Sequence, residues 1–281
     1  MEIIGINLRF STYSFRPVIA LLTDFGVRDH YAGTMKGVIL GICPDVTLVD
    51  ISHEVPPHDV LAGALELAAS YRYFPAGTIF LVVVDPGVGS TRRGIAADAG
   101  DYKFVAPDNG VLSVIVDDHP PKRVVELGER RYALPTVSRT FEGRDRFAPA
   151  AAWLAKGVDL GALGRGAGAL HRLDVPKPTV EAGSGAVRGE VLRLDRFGNL
   201  ITNIDRRTFD AVMDPGAHTV EIHVGAHQVQ KVVSTYADAP PGEIVALFGS
   251  TDHLEIAANG ASAAARLDLG RGALVRIVLR A

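Results

Sequence analysis

The chain has 281 residues, 47% of them hydrophobic, and a formal net charge of −3, so it can bury one large core or two smaller ones. This charge gives no electrostatic reason to expect a nucleic-acid partner or an anionic membrane surface. No apolar run reaches the ~18 residues of a membrane span, so no membrane association is expected. The single cysteine, Cys43, excludes an intrachain disulfide and fits the cytoplasm, where we expect the protein to reside.

The first residues, Met1–Phe15, lack the basic start, apolar middle and small-residue cleavage site of a signal peptide. They are interpreted either as an extra strand or as a disordered leader. The folded part of the chain is expected to begin at Arg16.

The first part of the chain alternates strand and helix patterns. Branched apolar runs without alternation predict strands buried on both faces, as in a parallel sheet. Helices between them are predicted from apolar stripes, and Asp59 is the expected N-cap of one of them. In chain order we predict strand 18–22, helix 31–42, strand 47–51, helix 59–71, strands 78–84 and 103–106, and helices 110–116 and 148–156.

The pattern changes near residue 170. Prolines and glycines between residues 176 and 189 predict a linker, and the short strands beyond it are typical of a small antiparallel barrel or sandwich. We therefore predict an α/β fold class: an N-terminal α/β domain, residues 16–172, with a largely parallel central sheet, and a smaller C-terminal all-β, barrel-like domain, residues 186–281. The predicted strands of the second domain are 186–195, 200–204, 219–224, 229–233, 244–248, 254–257 and 273–279.

Two carboxylates, Asp24 and Asp85, stand at the ends of predicted strands, and a glycine turn follows each of them. Because ligand crevices in open α/β sheets lie outside the carboxyl ends of the strands, we expect both acids to face one site. The alternative is that each acid only caps the turn or helix that follows it.

A strand-end carboxylate such as Asp24 can accept two hydrogen bonds at once, which suits the diol of a ribose. The nearby Asp29 and His30 make a divalent metal ion the rival ligand, although no HxH, HxxxH or DxD spacing supports one. His58 follows the second strand at the same sheet edge and is expected near the ribose.

The glycine-rich segment after Asp85 fits neither the G-x-x-x-x-G-K-[ST] nor the G-x-G-x-x-G phosphate-loop pattern. We interpret Arg92 as folding back to pair with Asp85 and to hold a polar group or a water beside the ligand; the alternative is a tight turn with solvated arginines. In the mixed-charge segment 140–149, Asp145 is expected to cap the following helix while Glu142 points elsewhere.

Residues 195–203 of the second domain have the composition of a bulged hairpin. In one interpretation Asn199 belongs only to the turn. In the other, Phe197, Asn199 and Tyr236 form an aromatic and amide pocket for a purine. Small residues near Ser250 and Asn259 would let the backbone approach a ligand closely.

Several motifs in register, from Arg16 to the C-terminus, resemble those of the S-adenosylmethionine hydrolases, also called S-adenosylmethionine hydroxide adenosyltransferases. The fluorinase and the chlorinase belong to the same superfamily. The motifs are Thr23-Asp24-Phe25-Gly26, Cys43-Pro44-Asp45-Val46, Phe74-Pro75-Ala76-Gly77-Thr78, Val84-Asp85-Pro86-Gly87-Val88-Gly89, Ala106-Pro107-Asp108-Asn109-Gly110, Thr140-Phe141 with Gly143-Arg144-Asp145, and residues 195–203.

The resemblance implies a homotrimer in which each site lies between the N-terminal domain of one subunit and the C-terminal domain of its neighbour. The ligand would be S-adenosyl-L-methionine as substrate, with no metal and no other cofactor. Asp24 would bind the ribose diol, Phe197 and Tyr236 would flank the adenine with Asn199 on its edge, Asp195 would face the methionine ammonium and Ser250 the methionine carboxylate. The predicted substrate-binding residues are Asp24, Asp29, His58, Phe141, Asp195, Phe197, Asn199, Tyr236, Ser250 and Asn259.

Asp85 and Arg92 match two members of the family's water-activating Asp-Arg-His triad, and Glu142 stands where the family pattern has the histidine. The predicted catalytic residues are therefore Asp85, Arg92 and Glu142. A glutamate can take a proton or pair with Arg92, and beside Asp85 it would form a carboxylate pair able to share a proton.

The predicted reaction is hydrolysis of S-adenosyl-L-methionine to adenosine and L-methionine by attack of an activated water on C5′. One alternative, supported by Glu142, is a binding protein with little turnover. Another is a halide-using adenosyltransferase, although Asp85 would repel a halide, and the superfamily's halogenases lack this acid and have a serine where Gly143 stands. A metal-dependent phosphohydrolase is the remaining alternative.

Overall fold

The computed structural model describes residues 16–181, 186–212 and 219–280. The proposed strand or leader at Met1–Phe15 and part of the proposed linker lie outside these ranges. The chain divides into two compact units, Met1–Leu173 and Asp174–Ala281. No helix in the described ranges has both the length and the apolar character needed to cross a bilayer.

The first unit is built on a six-stranded sheet. Its strands are β1 (Val18–Thr23), β2 (Thr47–Ser52), β3 (Ile79–Val83), β4 (Gly94–Ala99), β5 (Tyr102–Pro107) and β6 (Arg123–Glu126). The spatial order is β2-β1-β3-β5-β4-β6. The first four strands in this order are parallel to one another, whereas β4 is antiparallel to both β5 and β6. The sheet is therefore largely parallel, as the sequence predicts, with one reversed strand, β4, lying between β5 and the edge strand β6.

Helices cover both faces of this sheet. They are α1 (Tyr31–Ile42), α2 (Val60–Ser70), α3 (Ser113–Asp118) and α4 (Ala148–Ala155). Successive side chains of β1 enter opposite cores: Ile19 packs in the core that contains α1 and α4, and Ala20 in the one that contains α2 and α3. The predicted cap of α2 is confirmed, since Asp59 Oδ1 accepts the Ala62 N–H at 2.9 Å. The branched apolar strands are thus buried on both faces.

The second unit is a barrel-like antiparallel sheet. Its strands are β7 (Thr179–Val180), β8 (Val187–Leu194), β9 (Leu200–Asp205), β10 (Thr219–Val224), β11 (His227–Val229), β12 (Ile244–Phe248), β13 (His253–Ala258) and β14 (Leu274–Arg280). The order is β11-β10-β14-β8-β9-β13-β12, and β7 pairs with β8. The first half of β8 pairs with β14 and its second half with β9, so the sheet turns a corner along this strand.

Two short helices, α5 (Arg206–Val212) and α6 (Ala263–Leu267), accompany the barrel and were not predicted. The strand predicted at 229–233 lies instead at 227–229, and Val232 makes only an isolated bridge to Ala246. This bridge joins the segment after β11 to the edge strand β12 and nearly closes the barrel.

Candidate active site

An acid and an arginine form the centre of the candidate site in the first unit. Asp85 lies two residues beyond β3, and its side chain is only 5% exposed. Arg92 folds back across the intervening turn, so that its Nε donates to Asp85 Oδ1 at 2.9 Å and its Nη2 donates to Asp85 Oδ2. The turn requires Gly89, whose φ is +75° and whose Cβ, if present, would overlap the Arg139 carbonyl oxygen. The guanidinium therefore holds the carboxylate in a two-pronged contact.

Glu142 brings a second carboxylate to the same guanidinium. Its Oε2 lies 2.6 Å from Arg92 Nη2, the nitrogen that also contacts Asp85, and its Oε1 lies 3.6 Å from Arg146 Nη1. The contact with Arg92 has ion-pair distance but not hydrogen-bond geometry, which leaves Oε2 able to accept another hydrogen bond. Asp85, Arg92 and Glu142 thus form one largely buried cluster.

A π-helical turn places Glu142 in this cluster. The turn spans Gly143–Phe147 and runs directly into α4, with Glu142 as the residue before it. A Cβ on Gly143 would lie 3.2 Å from Met35 Sδ and 3.3 Å from Val83 Cγ1, so glycine lets the turn approach α1 and β3 closely. At its other end the fully buried Phe147 ring lies 5.2 Å from Arg92 Cζ and supports the guanidinium by a cation–π contact.

The environment changes the protonation of this cluster. Burial raises the pKa of Asp85, and the charge of Glu142 raises it further, against the opposing effect of Arg92. Burial alone would lower the pKa of Arg92, but the hydrogen bond and charge of Asp85, together with Glu142, raise it. Arg92 is therefore a permanent cation, and Asp85 accepts a proton more readily than an ordinary aspartate does.

The expectation that Asp145 caps the following helix is wrong. The carboxylate is fully buried, accepts the Ser138 N–H at 2.7 Å and binds Arg144 through both oxygens. Helix α4 begins after Phe147 with no side-chain cap. Asp145 instead ties the loop before the π-helical turn to the turn itself, because a buried carboxylate must be paired with donors.

Asp24 lies directly after β1 and is half-buried. Its Oδ2 accepts the N–H of His58 at 2.8 Å, so the carboxylate joins the loops that follow β1 and β2. It does not cap α1, whose N-cap residue is His30. In the described part of the chain Asp24 Oδ1 has no partner, which leaves this oxygen for a ligand.

The other predicted binding residues of the first unit differ in exposure. Asp29 and His58 are exposed, whereas Phe141, directly before Glu142, is only 8% exposed. The Phe141 ring meets the rings of Phe25 and Tyr31 at centroid distances of 5.8 Å and 5.1 Å. This aromatic cluster joins the loop after β1 to the segment that carries Glu142.

In the second unit, Asp195 organises the turn between β8 and β9. Asp195 Oδ1 accepts the backbone N–H groups of Phe197 and Asn199, both at 2.9 Å, and Oδ2 accepts Asn199 Nδ2 at 2.8 Å. Asn199 is buried, while Phe197 is 76% exposed. A Cβ on Gly198 would overlap Ser262, so the turn needs glycine at this position. The turn thus holds an aromatic ring out to solvent beside a fixed amide.

Sequence reasoning missed Glu255 on β13, which is only 5% exposed and accepts the Tyr236 hydroxyl at Oε2, at 2.8 Å. Burial raises the pKa of Glu255, and the charge of Asp195 adds to this rise. Burial, the hydrogen bond and the charge of Glu255 raise the pKa of Tyr236 to about 12, so its hydroxyl stays protonated. The available signal was a single acid within the otherwise apolar run Leu254-Glu255-Ile256.

The two remaining predicted residues, Ser250 and Asn259, have different environments. Ser250 is exposed in the turn between β12 and β13. Asn259 Nδ2 donates to the Ala239 carbonyl at 2.7 Å and so supports the segment that follows Tyr236. Among the residues that the structure describes, no three histidine, cysteine, aspartate or glutamate side chains converge as a metal ion would require.

A largely parallel α/β unit with a buried acid–guanidinium cluster, followed by an antiparallel barrel-like unit, defines the class of this protein. Family models described as the SAM hydroxide adenosyltransferase N-terminal and C-terminal domains match residues 19–164 and 189–276. The chain therefore belongs to the SAM hydroxide adenosyltransferase family.

Individual relatives agree with this family. An (R)-S-adenosyl-L-methionine hydrolase of Salinispora tropica is 36% identical over 93% of this chain and 97% of its own length. A fluorinase of an Actinoplanes species is 29% identical over 93% of this chain and 97% of its own length. The solved structure of an uncharacterized conserved protein from Thermotoga maritima matches with a TM-score of 0.87 and 37% identity, over 92% of this chain and 99% of that one.

Proposed function

We propose that the protein hydrolyses S-adenosyl-L-methionine to adenosine and L-methionine. The observation that carries this proposal is the cluster in which Arg92 Nη2 contacts both Asp85 and Glu142, at the carboxyl end of β3. Membership of the family and the hydrolase relative supply the reaction to which the cluster is assigned.

In the proposed reaction, a water held by the cluster attacks C5′ of the substrate on the side opposite the sulfur. The new O–C5′ bond forms as the C5′–S bond breaks, and its electron pair returns to the sulfonium sulfur to give neutral methionine. The proton of the water passes to one of the two carboxylates and then to solvent, leaving adenosine. Because the leaving group is already cationic, no acid is needed to assist its departure.

The three cluster residues would divide this work. Arg92 stays charged and fixes both acids, so it orients and does not act as a base. Asp85, with its raised pKa, is the proposed proton acceptor, and Glu142 Oε2, which accepts no hydrogen bond within the described part of the chain, would help to orient the water. Correct placement of water and C5′ can contribute up to ~7–11 kcal/mol of the barrier reduction.

Substrate recognition is proposed to use both units. Asp24 would accept the ribose hydroxyls, and Asp195 and Ser250 would face the ammonium and carboxylate of the methionine part. Phe197 and Tyr236 would flank the adenine. Asn199 already donates its amide N–H to Asp195, so its Oδ1 is left to accept the exocyclic amino group of the base. Asp29, His58, Phe141 and Asn259 are proposed to complete the site.

The proposed assembly is a cytoplasmic homotrimer with each site between the first unit of one subunit and the second unit of its neighbour. It rests on the family resemblance, and the large exposure of Phe197 is compatible with a ring that is covered only by a ligand and a neighbouring subunit. No metal or additional cofactor is proposed, so activity is expected to survive treatment with a chelator.

The deciding experiment is incubation with S-adenosyl-L-methionine, with adenosine and methionine separated by chromatography. The matched control is Asp85→Ala, in which Arg92 keeps Glu142 as a partner, so folding is expected to persist. We expect equal amounts of both products, and at least a 100-fold lower rate for the variant. Adenosine formation no faster than in the Asp85→Ala protein would refute the proposal.

The second candidate function is binding of S-adenosyl-L-methionine without turnover. It is supported by Glu142, which stands where the family pattern has a histidine. Calorimetry beside the product assay separates the two, because tight binding without adenosine favours the binder. A halide-using reaction is disfavoured by the two acids of the cluster, which would repel an incoming halide. Chloride-dependent formation of 5′-chloro-5′-deoxyadenosine would reverse that ranking.

A further inference from the structure

A buried polar pair lies next to Asp24 and has no part in the chemistry described above. Thr23 ends β1 and His53 directly follows β2, and because these strands are parallel neighbours their ends adjoin. Thr23 is fully buried and His53 is 6% exposed. Thr23 Oγ1 lies 2.8 Å from His53 Nδ1.

A carboxylate beside His53 favours one direction for this hydrogen bond. His53 Nε2 lies 3.0 Å from Asp50 Oδ1, within ion-pair distance, and Lys36 Nζ lies 2.6 Å from Asp50 Oδ2. Although burial acts in the opposite direction, Lys36 and His53 hold the pKa of Asp50 below its ordinary value, so this carboxylate is an acceptor only. The contact of His53 Nε2 with Asp50 has ion-pair distance without hydrogen-bond geometry, and a proton on Nε2 would face this acceptor; in that tautomer Nδ1 accepts the Thr23 hydroxyl hydrogen.

Three further hydrogen bonds surround Asp24, one within the turn after β1 and two between this turn and the loop after β2. Thr23 Oγ1 accepts the Phe25 N–H at 3.3 Å, and the Gly26 N–H donates to the His53 carbonyl at 2.7 Å. On the other side, the His58 N–H donates to Asp24 Oδ2, from a backbone with φ of +66°. The loop from 53 to 58 thus forms hydrogen bonds with Thr23, Asp24 and Gly26, that is, before, at and after the acid.

We infer that His53 is a positioning residue that fixes Asp24 for recognition of the substrate's ribose hydroxyls. The inference rests on the proposed function, since it takes Asp24 as the ribose-binding acid. His53 is buried and needs no contact with substrate. Its ring acts through Thr23, and its backbone carbonyl binds the Gly26 amide, so both hold the turn that carries Asp24; such pre-organisation strengthens binding without a new contact.

The test compares His53→Leu, which removes both ring nitrogens, with His53→Asn, whose Oδ1 can take the place of Nδ1 as acceptor for Thr23. Calorimetry measures the binding of adenosine and of 2′-deoxyadenosine, and steady-state kinetics give KM and kcat for S-adenosyl-L-methionine. We expect His53→Leu to lower the preference for adenosine about tenfold and to raise KM with little change in kcat. His53→Asn should keep most of the preference.

Thr23→Val is nearly isosteric and removes the same hydrogen bond from its other end. The test therefore does not depend on the folding of His53→Leu. In the Asp24→Ala background, Thr23→Val should cause no further loss of preference, because the group that it positions is already gone. A lower melting temperature combined with the parent's full preference for adenosine, in either variant, would overturn the inference.

The failures of the two proposals are distinguishable. A parent protein that prefers adenosine and releases none from S-adenosyl-L-methionine refutes the hydrolysis and leaves the role of His53 standing. A parent that hydrolyses the substrate but binds adenosine and 2′-deoxyadenosine equally refutes the assignment of Asp24, and with it the inference about His53.

Discussion

Arg92 joins two carboxylates that are distant in the sequence, because a single guanidinium nitrogen contacts both Asp85 and Glu142. With one cation between two acids, the charge of Glu142 adds to the burial that raises the pKa of Asp85. Arg146 stands 3.6 Å from the outer oxygen of Glu142 and provides a second cation on its more exposed side. The position at which the family pattern has a histidine is thus occupied by an acid that is tied into the local charge balance.

Substitutions of Glu142 test its part in turnover. Glu142→Gln keeps the size of the side chain but removes the negative charge that raises the pKa of Asp85, so Asp85 becomes a weaker proton acceptor and we expect kcat to fall about tenfold with KM nearly unchanged. Glu142→His restores a proton acceptor of the family's type and should retain activity within about tenfold of the parent. Steady-state assays of adenosine release measure both. Equal activity of the parent and Glu142→Gln would show that this acid takes no part in the reaction.

The raised pKa of Asp85 predicts how the rate depends on pH. The deprotonated form is the proton acceptor, so kcat/KM should fall as the pH decreases through this pKa. The charge of Glu142 contributes to the rise, so in Glu142→Gln the acidic limb of the profile should move to lower pH. Asp45→Asn, which removes an exposed charge before β2, is the control and should leave the limb in place. An unmoved limb in Glu142→Gln would contradict the coupling.

At the scale of elements, the π-helical turn Gly143–Phe147 connects the reactive cluster to the rest of the first unit. Its first residue packs against α1 and β3, and its last places a ring under Arg92. Gly94, at the start of β4, makes this possible, because a Cβ there would overlap Phe147 Cε1 and lie 3.2 Å from Cζ. Packing of β4 against the turn therefore reaches the reactive cluster.

Two glycine-to-alanine substitutions are expected to change the free energy of unfolding in opposite directions, one through packing and the other through the backbone. Gly94→Ala would overpack the fully buried Phe147, and we expect it to lower the free energy of unfolding by about 1–3 kcal/mol and to reduce kcat as well. Gly37→Ala, on the exposed side of α1 with no atom within 4 Å of the new Cβ, should instead stabilise by about 0.5–1 kcal/mol. Urea denaturation measures both. A Gly94→Ala protein as stable as the parent would refute the close approach.

Elements with a strong local signal were predictable from the sequence. Branched apolar runs marked β1 and β3, and the Asp59 cap marked the start of α2. Strand β4 was missed because Gly94–Ala99 is rich in alanine, and its strand state comes from pairing with β5 and β6 on either side. The π-helical turn was missed for a similar reason, since close contacts with other elements define it.

The same distinction holds within the candidate site. Asp85 and Arg92 stand seven residues apart at a strand end, so their pairing could be proposed from spacing. Glu255 could not be found in this way, because its partner Tyr236 comes from a separate segment and the hydrogen bond exists only in the folded barrel. The fate of Asp145 likewise depends on Ser138, which the fold brings to it.

At the scale of the whole molecule, the proposed trimer makes a prediction that a monomer does not. If one site combines the first unit of one subunit with the second unit of another, Asp85→Ala and Phe197→Ala subunits damage different halves of each site. Mixed trimers obtained by coexpression should then contain some sites with both halves intact and recover activity that neither variant has alone.

Light scattering of the same preparations would establish the trimer. Trimers that contain only one of the two variants serve as the control, since every site in them lacks the same side chain. A mixed preparation that is a trimer and stays as inactive as its parents would place each site within a single subunit.

Asp85, Arg92 and Glu142 all belong to Met1–Leu173, whereas Phe197, Asn199 and Tyr236 all belong to Asp174–Ala281. The groups assigned to bond breaking and those assigned to reading the base are therefore encoded in separate, consecutive stretches of the gene. Under the proposed function, a chimera with a relative, spliced near residue 173, would inherit its choice of nucleophile from one parent and its nucleobase preference from the other. Evolution could alter either property by exchanging one module and leaving the other untouched.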